Sequence, residues 1–149
     1  MAGKTILVVD DNSDAVEVVR AALETNGFVV ITASSGLEAL SKATENLPDL
    51  VILDVMMPGM NGFEVLERLR SSTETAEIPV IFLTARDQHK DLTQGYRLGA
   101  HYYIVKPFTI AQLLYGINLL QSERESNKSH VSLGELTRRV DDKENDPCR

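Results

Sequence analysis

An alternation limits this chain more than any other feature. Five short runs of β-branched and aliphatic residues, TILVVD (5–10), FVVITA (28–33), LVILD (50–54), PVIFLT (79–84) and YYIVK (102–106), are separated by stretches that repeat every 3.6 residues. Val16, Val19 and Leu23 share one helical face, and Asn26-Gly27 supplies a stop. Leu37, Leu40 and Leu47 follow Ser35-x-x-Glu38, a capping-box start, and Pro48 closes that segment. Phe63, Leu66 and Leu69 form a third stripe opened by Asn61-x-x-Glu64. A weaker fourth runs from Leu92 to Leu98 with Gly95 inside it, and a fifth joins Ile110, Leu113, Leu114, Ile117 and Leu120 after Thr109. Five strands alternating with five helices call for an α/β fold, a parallel sheet with helices on both faces. The runs at 5–10, 50–54 and 79–84 are continuously apolar, as central parallel strands are.

In such a sheet ligands bind outside the carboxyl ends of the strands. Those ends carry Asp10 and Asp11, Asp54, Thr84 and Lys106, while the second strand ends in Ala33-Ser34 with nothing ionisable. Asp54 closes a run apolar enough to be buried on both sides, so its position looks selected rather than incidental. The loop after the first strand reads Asp-Asp-Asn-Ser-Asp, which repels a bare phosphate, and neither GxGxxG nor GxxxxGK[ST] is present. Nucleotide and flavodoxin-type phosphate binding are thereby disfavoured. Two carboxylates ~4 Å apart repel by roughly 4 kcal/mol at an effective dielectric near 20. A hard divalent cation such as Mg²⁺ relieves this with one or two carboxylates, waters and phosphate oxygens. Lys106 suits a phosphoryl oxygen, Thr84 can donate to another, and Asp54 can act as nucleophile to give an aspartyl phosphate.

At 149 residues the chain is about one domain long, with no apolar stretch near the ~20 residues of a membrane helix. The single cysteine, Cys148, excludes a disulfide framework, so a reduced, cytoplasmic setting is expected. The net charge of −7 argues against a nucleic-acid surface. Up to Glu123 there are 9 basic and 16 acidic residues, and from Arg124 onward 6 of each. This places a boundary at residue 123, with a domain over 1–123 and a polar tail over 124–149. Val131, Leu133, Leu136 and Val140 would allow one short helix in a tail otherwise expected to be disordered.

Asp10-Asp11 after the first strand, Asp54 followed by MMPGMNG, Thr84-Ala85, and Lys106-Pro107-Phe108 resemble the receiver domain of bacterial two-component response regulators, over about residues 4 to 121. The resemblance implies a doubly wound, flavodoxin-like sheet of order 2-1-3-4-5. It implies that Asp54 accepts the phosphoryl group, that Asp11 and Asp54 bind Mg²⁺ directly with the Met56 carbonyl, and that Asp10 does so through water. Thr84 and Lys106 would contact the phosphoryl group, Lys106-Pro107 would be a cis peptide, and Tyr103 would swing inward as Thr84 moves. Met56 and Arg86 would flank the site and tune hydrolysis. A histidine kinase or phosphotransfer protein is the implied donor. The protein would promote its own dephosphorylation without being a turnover enzyme on a separate substrate.

Only 26 residues follow Glu123, so a stand-alone receiver working through protein contacts, without direct DNA binding, is expected. The fifth helix, Thr109 to Gln121, carries no charge, and an apolar face with Ile110, Tyr115 and Leu119 would serve a downstream protein or a second copy through helix 4, strand 5 and helix 5. Several competing readings stand beside these. Asp10 and Asp11 are also suited to capping the first helix, Lys106 to a solvated surface, and Tyr103 to plain packing. His89, His101 and His130 lack metal-ligand spacing and are expected at the surface, while the methionines of MMPGMNG are expected to shape a loop and pack locally. Two other function classes compete: a receiver-like scaffold that binds without phosphorylation, and an Asp-nucleophile phosphohydrolase, which usually carries D-x-D on its first strand.

Overall fold

The computed structural model describes residues 3–85, 97 and 99–129. Five strands, β1 (Thr5–Val9), β2 (Val29–Ala33), β3 (Leu50–Asp54), β4 (Val80–Ala85) and β5 (Tyr102–Lys106), form one sheet of order β2-β1-β3-β4-β5. Every neighbouring pair is parallel, with Leu7 opposite both Ile31 and Val51, Leu53 opposite Phe82, and Thr84 opposite Val105. This is the doubly wound, flavodoxin-like order expected. The four described helices are α1 (Ser13–Thr25), α2 (Gly36–Asn46), α3 (Gly62–Ser71) and α4 (Ile110–Ser129). Apart from Arg97, the helix expected at Leu92 to Leu98 lies outside the described residues, so α4 corresponds to the fifth helical stripe in the sequence. Arg86, His89, His130 and the tail from residue 130 also lie outside them. The chain divides into two compact units, Met1–Gly116 and Ile117–Arg149. The boundary expected at residue 123 falls within α4.

The strands obey their period of two. Leu7, Val9, Val51, Leu53, Val80 and Phe82 join one core cluster with Ala39 and Ala43 of α2 and Phe63, Val65, Leu66 and Leu69 of α3. Residues of the opposite parity, such as Val8 and Leu83, share a groove with Val18 and Val19 of α1 and Ile110 of α4. Helices therefore cover both faces, and β3 is buried along its whole length.

Local signals decide where the helices begin. Asn61 and Glu64 form the full reciprocal capping box expected of α3, with bonds of 2.9 Å in each direction. Ser35 caps α2 by accepting from the Glu38 amide, but the Glu38 carboxylate reaches Ser34 rather than closing the box on Ser35. The stripe expected on α2 is also corrected. Leu37 and Leu47 are exposed, Leu40 is partly buried, and the small residues Gly36, Ala39 and Ala43 face the core. A Cβ on Gly36 would lie 2.9 Å from Met60 and Val65, so close packing on the MMPGMNG loop and α3 selects small residues and turns the larger leucines outward. Within α4, Leu113, Ile117 and Leu120 are buried, Ile110, Leu114 and Leu119 half-buried, and Tyr115 exposed.

Candidate functional site

The carboxyl end of β3 is held by a close return of the chain. The Gly62 amide donates to the Val55 carbonyl at 2.9 Å, and the Val55 amide to Leu83 at 3.0 Å. A Cβ on Gly62 would sit 2.5 Å from the Asp54 carbonyl oxygen and 2.9 Å from the Phe82 ring. Only glycine lets α3 start this close to the strand end. Asp54 is consequently fixed and 6% exposed, with the Met56 amide donating to its Oδ1 at 3.3 Å.

Asp10 leaves β1 in a similar way. Its amide donates to Ala33, and its Oδ1 accepts the Asn12 amide at 3.0 Å. Both acids thus take the amide two residues on, the local turn that an Asp favours after a strand. The N-cap of α1 is Asn12, whose side chain accepts from the Ala15 amide at 3.1 Å. Capping therefore does not account for Asp10 or Asp11. Asp10 is 2% exposed, whereas Asp11 faces solvent. Carboxylate oxygens of Asp10, Asp11 and Asp54 all lie within 4.8 Å of one another. Lys106, at the end of β5 and followed by a cis peptide to Pro107, extends its ammonium to Asp10 Oδ2 at 3.1 Å and Asp54 Oδ1 at 3.5 Å. The competing picture of a solvated surface lysine does not describe it.

Among the described residues one cation faces three carboxylates, which leaves them short of positive charge. Burial first, then the neighbouring Asp10 charge, push the Asp54 carboxyl up to about 6, with Lys106 and the Met56 amide pulling the other way. Lys106 and the Met56 amide both approach Oδ1, which leaves Oδ2 without a donor among the described residues. The donor set is all oxygen and carries excess negative charge, which suits a hard divalent cation better than a thiolate- or imidazole-loving metal.

Thr84, Tyr103, the methionines and His101 complete the expected set. Thr84 ends β4 one position before Ala85, is 1% exposed, and donates to the Ala85 carbonyl at 3.3 Å. Tyr103 is half-buried, its ring centroid 5.4 Å from that of Phe82 at a tilt of 31°. Met56 is exposed, while Met57 is buried and Met60 packs against the core. His101 is exposed, and its Nδ1 accepts the Val80 amide at 3.3 Å. Beside the acids, between α1 and the turn into α4, lies a groove of about 770 Å³ bounded by Asp10, Val18, Lys106, Pro107 and Phe108. Neither this groove nor the tight approach at Gly62 is marked by any local sequence pattern. The Met56 amide was legible in principle, since an Asp at a strand end regularly takes the i+2 amide.

Comparison with known proteins agrees with this geometry. Residues 6–118 match the family model described as response regulator receiver domain. Protein PilH of Pseudomonas aeruginosa is 40% identical over 113 residues, covering 76% of this chain and 93% of PilH. The transcriptional regulatory protein PrrA of Mycobacterium tuberculosis is 40% identical over 127 residues, covering 85% of this chain but 54% of PrrA. The chain thus spans about half the length of that regulator. The chemotaxis protein CheY4 of Vibrio cholerae superposes with a TM-score of 0.75 at 34% identity, covering 78% of this chain and 98% of CheY4. With its sheet order, its acidic rim and these matches together, the chain belongs to the response regulator receiver domain family of two-component signalling.

Proposed function

We propose that this receiver domain accepts a phosphoryl group on Asp54. One observation carries the reading: a buried carboxylate at the end of the central strand shares Lys106 with Asp10, within 4.8 Å of a third acid. Asp54 Oδ2 has no donor among the described residues and is the oxygen free to attack phosphorus. The new O–P bond forms as the P–N bond of a phosphohistidine breaks, and the departing imidazole keeps the electron pair. Lys106 then turns from pairing Asp10 and Asp54 to holding a phosphoryl oxygen, and the Thr84 hydroxyl is the second donor in reach of the same strand ends. Asp11, Asp54 and the Met56 carbonyl would hold Mg²⁺, with Asp10 acting through water. Bound there, the ion would offset the anionic charge brought together during transfer.

The donor is a histidine kinase or a histidine phosphotransfer protein, and the groove beside Lys106, lined by Val18, Pro107 and Phe108 as well as by Asp10, would receive the segment around its imidazole. Phosphorylation adds charge and acceptors next to Thr84. Thr84 moving toward that charge, with Tyr103 shifting against Phe82, would carry the change to β5 and its flanking helices, which contact a downstream protein or a second copy. Direct DNA binding forms no part of this proposal, and the cytoplasm is the expected compartment.

Intact-protein mass spectrometry after incubation with a small phosphodonor, with and without Mg²⁺, tests it. A metal-dependent gain of one phosphoryl group in the wild type, lost in Asp54→Asn, is the expected result. A folded protein that gains nothing under any condition is a binding scaffold instead. Continued turnover of a small phosphate ester would identify a phosphohydrolase.

A further inference from the structure

Three of the chain's four methionines lie in the loop after β3, and the phosphotransfer proposed above uses none of their sulfur atoms. Their surroundings differ. Met57 is 7% exposed and Met60 packs against the core cluster, so both thioethers fill apolar space. Met56 is 56% exposed and belongs to the acidic rim, with its amide donating to Asp54 Oδ1 at 3.3 Å. The backbone before it is fixed, since the Val55 amide donates to Leu83 and the Val55 carbonyl accepts the Gly62 amide. A flexible apolar side chain is thus anchored beside three carboxylates, where it gains little from burial.

Sulfur and oxygen differ as ligands. A thioether is soft, and a hard divalent cation passes it over for oxygen. Oxidation changes that preference. A peroxide transfers one oxygen atom to sulfur: a sulfur lone pair forms the S–O bond as the O–O bond breaks. The hydroxide that departs takes up the proton of the transferred oxygen and leaves as water. The product, methionine sulfoxide, is neutral, carries a hard oxygen and is reversible by reductases. At Met57 or Met60 that polar oxygen would have to enter the core, whereas at Met56 it meets solvent and leaves the packing intact. The three acids already form an all-oxygen set in excess negative charge, so a neutral oxygen adds a donor without adding a further charge.

We infer that Met56 is a selective oxidation site for peroxides, and that its sulfoxide strengthens the hold of the acidic rim on a divalent cation. The inference rests on the reading of Asp10, Asp11 and Asp54 as a cation site. It adds a side chain that oxidation converts from indifferent to ligating, directly or through a bound water. Peroxide would then set how readily the rim fills, and with it how readily Asp54 is phosphorylated at a given Mg²⁺ level.

Peptide mass spectrometry of the full chain after exposure to hydrogen peroxide tests the selectivity. Met56 gains one oxygen at least about tenfold faster than Met57 or Met60. Mn²⁺ binding, read by water-proton relaxation, tests the consequence. The treated chain is first exposed to a thiol, which reverses disulfide formation at Cys148 and leaves the sulfoxide, and the thiol is then removed. Affinity for Mn²⁺ rises about fivefold, and Met56→Leu treated in the same way shows no rise. Equal oxidation of the three methionines overturns the inference, and so does an equal rise in Met56→Leu. An untreated chain that binds no Mn²⁺ overturns the cation reading and the inference together. Binding that oxidation leaves unchanged or weakens overturns the inference alone.

Discussion

Ile52 and Asp54 are two residues apart on one strand, both almost fully buried, yet they contribute to the molecule in opposite directions. Ile52 is 0% exposed and surrounded by apolar side chains, so its burial stabilises the fold. Asp54 is buried beside another carboxylate and shares one lysine with it, so its ionised form is held in an unfavourable place. The stretch below the rim stabilises the fold. The rim itself spends part of that stability to keep a reactive group ready.

The comparison breaks most readily from the core side. Ile52→Ala leaves a cavity in the central strand and is expected to cost about 2–5 kcal/mol. Urea unfolding should show a lower midpoint with an unchanged slope. A loss under 1 kcal/mol would mean that the strand's surroundings collapse onto the gap, and that β3 is less rigidly packed than its burial implies.

How much of this was readable beforehand follows the same division. The strands and their carboxyl-end residues were legible because apolar continuity and the termini of a parallel sheet are local facts; β3 and β5 have the expected limits at both ends. Asp10, Asp54 and Lys106 meet as the strand ends require. The burying face of α2 was misread because Leu37 and Leu47 fit a helical stripe, whereas close approach to Met60 and Val65 selects Gly36, Ala39 and Ala43. That preference depends on distance between elements, which no local pattern encodes. Asn12, rather than either adjacent acid, caps α1 for a comparable reason: both types cap well, and the tertiary pull of Lys106 on Asp10 separates them.

The next largest effect has the opposite sign. The Asp54 carboxyl is raised to about 6 from an ordinary 3.8, so folding favours its protonated form. The associated stability is fully present below the ordinary value and is lost as pH rises through about 6. Asp54→Asn should therefore raise the stability of the metal-free protein by roughly 1–3 kcal/mol at pH 7–8. Its advantage should shrink between pH 6 and 4 and vanish below. Thermal unfolding in a chelator at several pH values reads this directly, and a variant less stable than wild type at pH 8 would show that Lys106 more than compensates the buried charge. Adding Mg²⁺ should narrow the gap by stabilising the wild type alone.

The smallest effect separates the asparagines from the aspartates. Asn12 and Asn61 cap α1 and α3 with bonds of 3.1 and 2.9 Å, close to the acidic residues in sequence but directed at helix amides instead of at the site. Each change to Ala should cost about 1 kcal/mol, independent of pH between 5 and 8, because an uncharged amide is lost in each case. Asp10→Asn should behave differently. It keeps an oxygen for the Asn12 amide and removes one of the charges that raise Asp54, so the Asp54 carboxyl should fall toward its ordinary value. Titration of the Asp54 side-chain carbon by NMR distinguishes the two kinds of substitution: Asn12→Ala and Asn61→Ala leave its midpoint in place, and Asp10→Asn lowers it. If Asp10→Asn left that midpoint near 6, burial alone would hold it there, and the two carboxylates would matter to each other only when a cation joins them.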